Sequence, residues 1–286
     1  MSWVWIVAPI AALFALRAVY VTGTYIIYWY ESAQKGFPHF ENAGPGWLLA
    51  FRALAGFVAE ILSSVFVLLA YPLRLIVPGR SGRPGPRRPV LLVHGMYVNG
   101  GSLMLLKRRL ERAGWRSVHL LDLDFRRGHV SALSDQVAER IEQIMAATGA
   151  ERVDAVGHSL GGLVIFHTLL RGGGRRFLGT CIALGAPFQG TRMASFSKVP
   201  LLRQLSPGSS VLKDLGAMLE GAGDVPSESR LVSIWSNYDN VIFPTESPVL
   251  PDPPVENIRV DFIGHVSMLF SRTVARQIQR VLAGSI

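Results

Sequence analysis

The segment Gly157-His158-Ser159-Leu160-Gly161-Gly162 sets a serine among glycines, after the apolar run Val153-Asp154-Ala155-Val156 and before Leu163-Val164-Ile165-Phe166. A serine at a tight strand-to-helix turn has its hydroxyl lifted clear of the backbone, at a helix N-terminus whose free N–H groups favour developing negative charge. Glycines suit the flanking positions because a side chain there would collide with neighbouring backbone. The chemistry this suits is attack by the Ser159 hydroxyl on a carbonyl carbon. A hydroxyl is a weak nucleophile, so it needs a base, and the base needs a group to orient it.

In a site of this kind the acid and then the histidine follow the serine along the chain. Downstream of Ser159 the only histidines are His167 and His265. His167 falls two turns into the helix that the serine opens and points away from the hydroxyl. His265 hangs in the loop Ile263-Gly264-His265-Val266 after the expected strand Ile258-Arg259-Val260-Asp261-Phe262, where a general base belongs. His265 is therefore the expected base. For the acid, Asp239 ends the run Leu231 to Trp235, within Ser236-Asn237-Tyr238-Asp239-Asn240. Asp261, inside a strand, and Asp252, in a proline-rich loop, are weaker, as are Asp214 and Asp224 in the greasy region after Pro187. Upstream, Val90-Leu91-Leu92-Val93 runs into His94-Gly95-Met96. The backbone N–H groups of Met96 and Leu160 are the expected oxyanion hole, with His94 bracing its loop.

Holding these groups together requires a scaffold, and from Pro89 the pattern alternates between short apolar runs and amphipathic helices. Strands are expected at Val90 to Val93, Ser117 to Leu121, Arg152 to Val156, Leu178 to Leu184, Leu231 to Trp235 and Asn257 to Phe262. Helices are expected at Leu103 to Ala113, Ser131 to Ala147 and Ser159 to Leu170, with a last one ending near Leu282. In the second of these, Val137, Ile141, Ile144 and Met145 share one face. Such alternation implies an α/β fold with a parallel sheet covered on both sides. Cys181, in an apolar run, reads as a small buried hydrophobe, and a single cysteine forms no internal disulfide.

Taken in order, Val93-His94-Gly95-Met96, the Ser159 hexapeptide, Leu184-Gly185-Ala186-Pro187, the Asp239 segment and Gly264-His265-Val266-Ser267 resemble the bacterial triacylglycerol lipases and esterases of the α/β-hydrolase superfamily. The resemblance covers most of residues 89–286 and implies an α/β-hydrolase fold that cleaves carboxylic esters through an acyl-enzyme. It also implies a lid, and residues 187–226, with Phe188, Met193, Phe196 and Leu202 among glycines, serines and prolines, fit that position. Some related lipases bind calcium; no cluster of oxygen ligands stands out here, so no metal and no cofactor are expected. A thioesterase or acyltransferase could use the same residues, and a silent scaffold could keep the fold without the chemistry.

The N-terminal part lies outside the usual lipase pattern. Hydrophobic residues make up 49% of the chain and charged ones 17%, and the apolar excess is concentrated before residue 78. Trp3 to Tyr30 and Trp47 to Val77 are both long enough for a bilayer core of about 30 Å, which takes about 20 helical residues. Aromatics flank the first stretch at both ends. It lacks the basic start and small-residue cleavage site of a signal peptide. The second carries Arg52 and Glu60, which a helix lying on the interface would tolerate. The favoured organisation is a two-helix membrane hairpin over 1–78, a Gly/Pro/Arg linker over 79–88 and the catalytic domain over 89–286. In such a hairpin Arg17 and Glu60 would meet near mid-bilayer and are expected to pair. Arg74, Arg80, Arg83, Arg87 and Arg88 follow the second stretch, which places the catalytic domain on the cytoplasmic side of the inner membrane. The net charge of +9 shows no basic stripe interleaved with aromatics, so lipid rather than nucleic acid is the expected partner.

Overall fold

The computed structural model describes residues 4–35, 44–72, 85–171, 177–220 and 229–284. Six strands, β1 (Val90–Val93), β2 (Val118–Leu121), β3 (Val153–His158), β4 (Leu178–Leu184), β5 (Arg230–Ser236) and β6 (Val255–Val260), form one sheet in the order β2-β1-β3-β4-β5-β6. Every pairing is parallel. The central strands are apolar without alternation because both their faces are covered. Helices α4 (Val130–Thr148) and α5 (Leu160–Leu170) cover one face through Leu133, Val137, Ile141, Leu163 and Phe166. On the other, α3 (Met104–Arg112) and α9 (Arg272–Leu282) supply Leu106, Leu110, Ile278 and Val281. This is the doubly covered parallel sheet that the periodicity implies, and the α/β-hydrolase architecture that the resemblance implies.

Two differences from the sequence reading have local causes. The last strand stops at Val260, because Phe262 turns the chain with φ 58°. Region 187–220, where the sequence reading assigns no helix, holds α6 (Arg192–Ser195), α7 (Pro200–Arg203) and α8 (Ser210–Glu220). Leu201, Leu205, Leu212, Leu215 and Leu219 bury themselves in the α4/α5 core, whereas Phe196 is exposed. The rest of the expected lid, 221–226 with Asp224, lies outside the described residues, as do most of the linker, 79–84, and Arg74, Arg80 and Arg83. At the end of the linker the arginines hold to the domain. Arg87 lies 4.1 Å over the Trp115 ring, and Arg88 approaches Asp154 at 3.7 Å.

Helices α1 (Val4–Lys35) and α2 (Gly46–Ala70) pack against each other, and each is long and apolar enough to cross a bilayer. They are also part of the folded body. Helix α2 lies across the loops that leave β1, β5 and β6. Asn99 Nδ2 donates to the Tyr71 carbonyl at 2.9 Å, the Tyr238 hydroxyl donates to the Ala53 carbonyl at 3.0 Å, and the backbone N–H groups of Val266 and Ser267 donate to Glu60. Contact is so close at Gly56 that a Cβ there would sit 2.5 Å from the Phe262 carbonyl oxygen. Helix α1 joins through its second half, where the Tyr28 hydroxyl donates to the Asn237 carbonyl at 2.8 Å and Asn240 Nδ2 donates to Thr24 Oγ1 at 2.8 Å. An aromatic cluster of Tyr25, Tyr28, Phe57, Tyr238 and Phe243 fills the junction.

The expected Arg17–Glu60 ion pair does not form. Glu60 is 1% exposed, and its two carboxylate oxygens accept the N–H groups of Val266 at 2.9 Å and Ser267 at 2.8 Å. A carboxylate that receives backbone donors this way needs no arginine beside it. Among the described residues Arg17 has no ion pair, and its guanidinium lies 5.8 Å from the Tyr20 ring centre.

Candidate active site

Ser159 sits between β3 and α5 with φ 54° and ψ −125°, a strained conformation for a residue with a side chain. The close packing of the turn explains its glycines. A Cβ on Gly157 would lie 2.4 Å from Gly161 C, and one on Gly161 would lie 2.6 Å from the Val93 and His94 carbonyl oxygens. The Ser159 N–H is fixed to the Leu184 carbonyl at 2.8 Å. Next to it, the backbone N–H of Leu160 opens α5, and that of Met96 belongs to the loop after β1; neither donates to a described residue.

His265 and Asp239 come together although they lie on different loops. His265 Nδ1 is 2.8 Å from Asp239 Oδ2, and both side chains are almost wholly buried. Asp239 Oδ1 accepts the N–H groups of Val241 and Ile242 at 2.8 and 2.9 Å, which fixes the carboxylate's plane. Burial by itself would lower the His265 pKa, but the Asp239 carboxylate, aided by its hydrogen bond and by the Glu60 charge, raises it above the ordinary value. Asp261 lies apart from this pair, 3.3 Å from Arg259, and His167 faces Ser134 at 2.8 Å inside the core.

The loop carrying His265 is held from three sides. Asn240 Oδ1 accepts the His265 N–H at 3.1 Å, and the His158 Nε2 proton is donated to the His265 carbonyl at 3.0 Å. Burial, with His265 alongside, pushes His158 down to about 3, so its ring is neutral and serves as a fixed donor. Glu60 of α2 supplies the third hold, through Val266 and Ser267. Sequence reasoning missed Glu60, which lies 206 residues from Val266, and Asn240. A faint signal existed: Gly56, Glu60, Ser63 and Ser64 interrupt an apolar helix at helical spacing, and all four are buried. His94 braces the loop after β1 as expected, with Nδ1 2.9 Å from the Gly95 carbonyl and Nε2 accepting the Leu123 N–H at 3.1 Å.

Ser159, His265, Met96 and Leu160 all line one cavity of about 300 Å³. Ser159 and His265 are not directly hydrogen-bonded in this geometry, and such contacts commonly tighten only when substrate binds. The walls are apolar, from Val21 and Val67 of the N-terminal helices and from Met193, Leu202 and Ile242 of the catalytic domain. Among the described residues no group of three or more His, Cys, Asp or Glu side chains could hold a metal ion.

A six-stranded parallel sheet with a strained serine at the β3–α5 turn defines an α/β hydrolase, and comparison with known proteins bears this out. Residues 90–281 match the alpha/beta hydrolase family, and the chain belongs to that family. Among solved structures it is similar to Aspergillus fumigatus lipase B, with a TM-score of 0.61 and 21% identity over 72% of this chain and 55% of that one. It is also similar to the mature form of the Bacillus licheniformis lipase BlEst2, with a TM-score of 0.60 and 15% identity over 72% of this chain and 96% of that one. The chain thus spans little more than half of the fungal lipase. At these identities the likeness is one of fold.

Proposed function

We propose that the protein is a membrane-anchored serine carboxylester hydrolase acting on hydrophobic acyl esters. The observation that carries this reading is the buried Asp239–His265 pair facing the same apolar cavity as the strained Ser159. In this mechanism His265 takes the Ser159 proton through Nε2 as the oxygen attacks the ester carbonyl, while Asp239 holds Nδ1–H and offsets the imidazolium charge. The unpartnered N–H groups of Met96 and Leu160 receive the oxyanion, and His265 returns its proton to the leaving alcohol. Water, activated by the same histidine, then releases the acid from the acyl-enzyme.

Attachment to the membrane is supported by the outward faces of α1 and α2, where Phe14, Leu16, Val19, Trp47, Phe51, Leu54 and Leu62 are exposed. The catalytic domain occupies the inner face of α2, so that helix meets lipid through its outer side, in keeping with an interfacial position. The turns of α1 before Arg17 are the part free to enter the bilayer, with the catalytic domain on the cytoplasmic side. Residues 187–220, which overhang the cavity through Met193, Phe196 and Leu202, act as its lid.

The test is labelling of the membrane-extracted protein by a fluorophosphonate, together with turnover of p-nitrophenyl esters. Labelling and turnover are expected in the parent chain, and Ser159→Ala is expected to abolish labelling and reduce kcat by at least about 10³-fold. A folded chain that never labels would overturn the assignment.

A further inference from the structure

The cavity beside Ser159 contains a charge that ester hydrolysis does not use. Arg17 of α1 lines it, and the Arg17 Nε is buried without a hydrogen-bond partner. The one carboxylate that shares the cavity wall near it, Glu60, already receives the N–H groups of Val266 and Ser267. The Tyr20 ring, 5.8 Å away, offers a cation a face but no counter-charge. Val21, Val67 and Leu205 also line the cavity, and the hydroxyl of Ser64, another lining residue, donates to the Ile61 carbonyl. An unmatched guanidinium in such a place is expensive, and an ionisable residue kept on an apolar helix is most readily explained by a ligand that completes it. Guanidinium pairs with planar or tetrahedral oxyanions through two parallel N–H···O bonds, which gives it both strength and geometry.

We propose that Arg17 is the anion-binding group of this site, and that it selects acyl esters bearing a phosphate, glycerophospholipids, over uncharged esters. The proposal rests on the carboxylester hydrolase reading and specifies its substrate class. A glycerophospholipid has what the cavity offers in one molecule: an ester for Ser159, an acyl chain for the apolar walls, and a phosphate a few bonds from the ester for Arg17. It also resides where the apolar outer faces of α1 and α2 would hold the protein. The phosphate is contacted but not cleaved, so the bond broken remains the acyl C–O bond, with water supplying the hydroxyl of the released acid and the proton of the released alcohol.

The experiment compares three soluble esters at concentrations below micelle formation, using the detergent-extracted full chain: dihexanoylglycerol, its phosphate and its hemisuccinate. With a nonionic detergent and monomeric substrate no anionic surface is present, so attraction to one does not enter the measurement. The readout is the ratio of kcat/KM for the phosphate over the neutral ester, which cancels any loss of folded enzyme. The parent chain is expected to favour the phosphate, and Arg17→Gln to lower the ratio by roughly 10- to 100-fold, the effect of losing a hydrogen-bonded charge pair. Arg17→Lys, which keeps charge but not the fork, should fall between them. A ratio at or below one in the parent chain, or one unchanged by Arg17→Gln, would overturn the proposal. An equal preference for the hemisuccinate would overturn the assignment of phosphate. Ser159→Ala is the separate control: turnover of the neutral ester surviving in it would mean that the nucleophile, not the anion site, had been misread.

Discussion

Along α2 the buried positions are Gly56, Glu60, Ile61, Ser63, Ser64, Val67 and Ala70, whereas the first half of α1 exposes Val7, Ile10, Phe14, Leu16 and Val19. Both helices are greasy enough to pass for membrane spans, yet they meet the rest of the molecule differently. The buried face of α2 carries Gly56, Glu60, Ser63 and Ser64 beside Ile61 and Val67, and its small and polar members let it approach backbone closely and accept hydrogen bonds there. The exposed face of early α1 is branched and aromatic and makes no such contacts. A stripe of Gly, Ser and Glu in an apolar helix therefore marks protein, while an uninterrupted apolar surface marks what lipid could cover. Helix α2 is a wall and brace of the candidate site, and early α1, the membrane-facing part in the proposed reading, reaches back to the cavity at Arg17.

Two carboxylates give the largest effects that could break this contrast. Asp239 touches the His265 ring, and Asp239→Asn is expected to lower kcat by about 10⁴-fold by favouring the wrong imidazole tautomer. Glu60 holds the loop that carries the ring, not the ring itself, so it is a positioning residue. Glu60→Gln leaves one buried N–H facing an amide, at about 1–3 kcal/mol, and kcat/KM on a soluble ester should fall by roughly 10- to 100-fold. Its pH profile adds a readout that a purely structural role would not move. His265 must be neutral to accept the serine proton, so activity is present above its pKa and lost as pH falls through it. Since that pKa is raised, the acid limb in the parent chain should lie above about 6.5. Removing the Glu60 charge should move it to lower pH. If Glu60→Gln matches the parent in rate and profile, α2 is packing alone.

The residues that do the proposed chemistry were legible because each is announced locally. Ser159 is announced by its glycines and its strand-turn-helix setting, His265 by a loop after the last strand, and Asp239 by the end of β5. Strand positions were legible for a related reason: buried parallel strands read as unbroken apolar runs, as Val90–Val93 does. Residue Glu60 was not legible, because a charge in an apolar helix has two explanations that look identical in sequence. It can pair with another helix charge, as expected with Arg17, or it can leave lipid altogether and bind a loop far along the chain. Only the docking of Gly56 on Phe262 decides between them. Helices α6 and α7 escaped notice for want of length, since four residues carry no period.

That docking gives the next effect in size. Gly56→Ala places a methyl 2.5 Å from the Phe262 carbonyl oxygen, so α2 must shift away. Overpacking of this kind is expected to destabilise by about 1–3 kcal/mol, seen as a lower Tm in detergent. Because Phe262 leads into the His265 loop, turnover of a soluble ester should fall with it. A Gly56→Ala chain of unchanged Tm and activity would show that α2 is only loosely applied.

The matching change in α1 should have the smallest effect and the opposite sign. Gly23 lies inside α1, and a Cβ there would meet nothing within 4 Å. Glycine lowers helix stability relative to alanine by about 0.5–1 kcal/mol, largely through the freedom it retains when unfolded. Gly23→Ala should therefore raise Tm slightly and leave ester turnover unchanged, since the position touches neither the cavity nor the catalytic domain. The pair of glycine substitutions isolates docking from helix propensity, because both replace the same atom in helices of similar composition. If Gly23→Ala lowered Tm or turnover as Gly56→Ala does, α1 would be fitted against protein at that level as closely as α2. The contrast between a docked glycine on α2 and a free one on α1 would then fail.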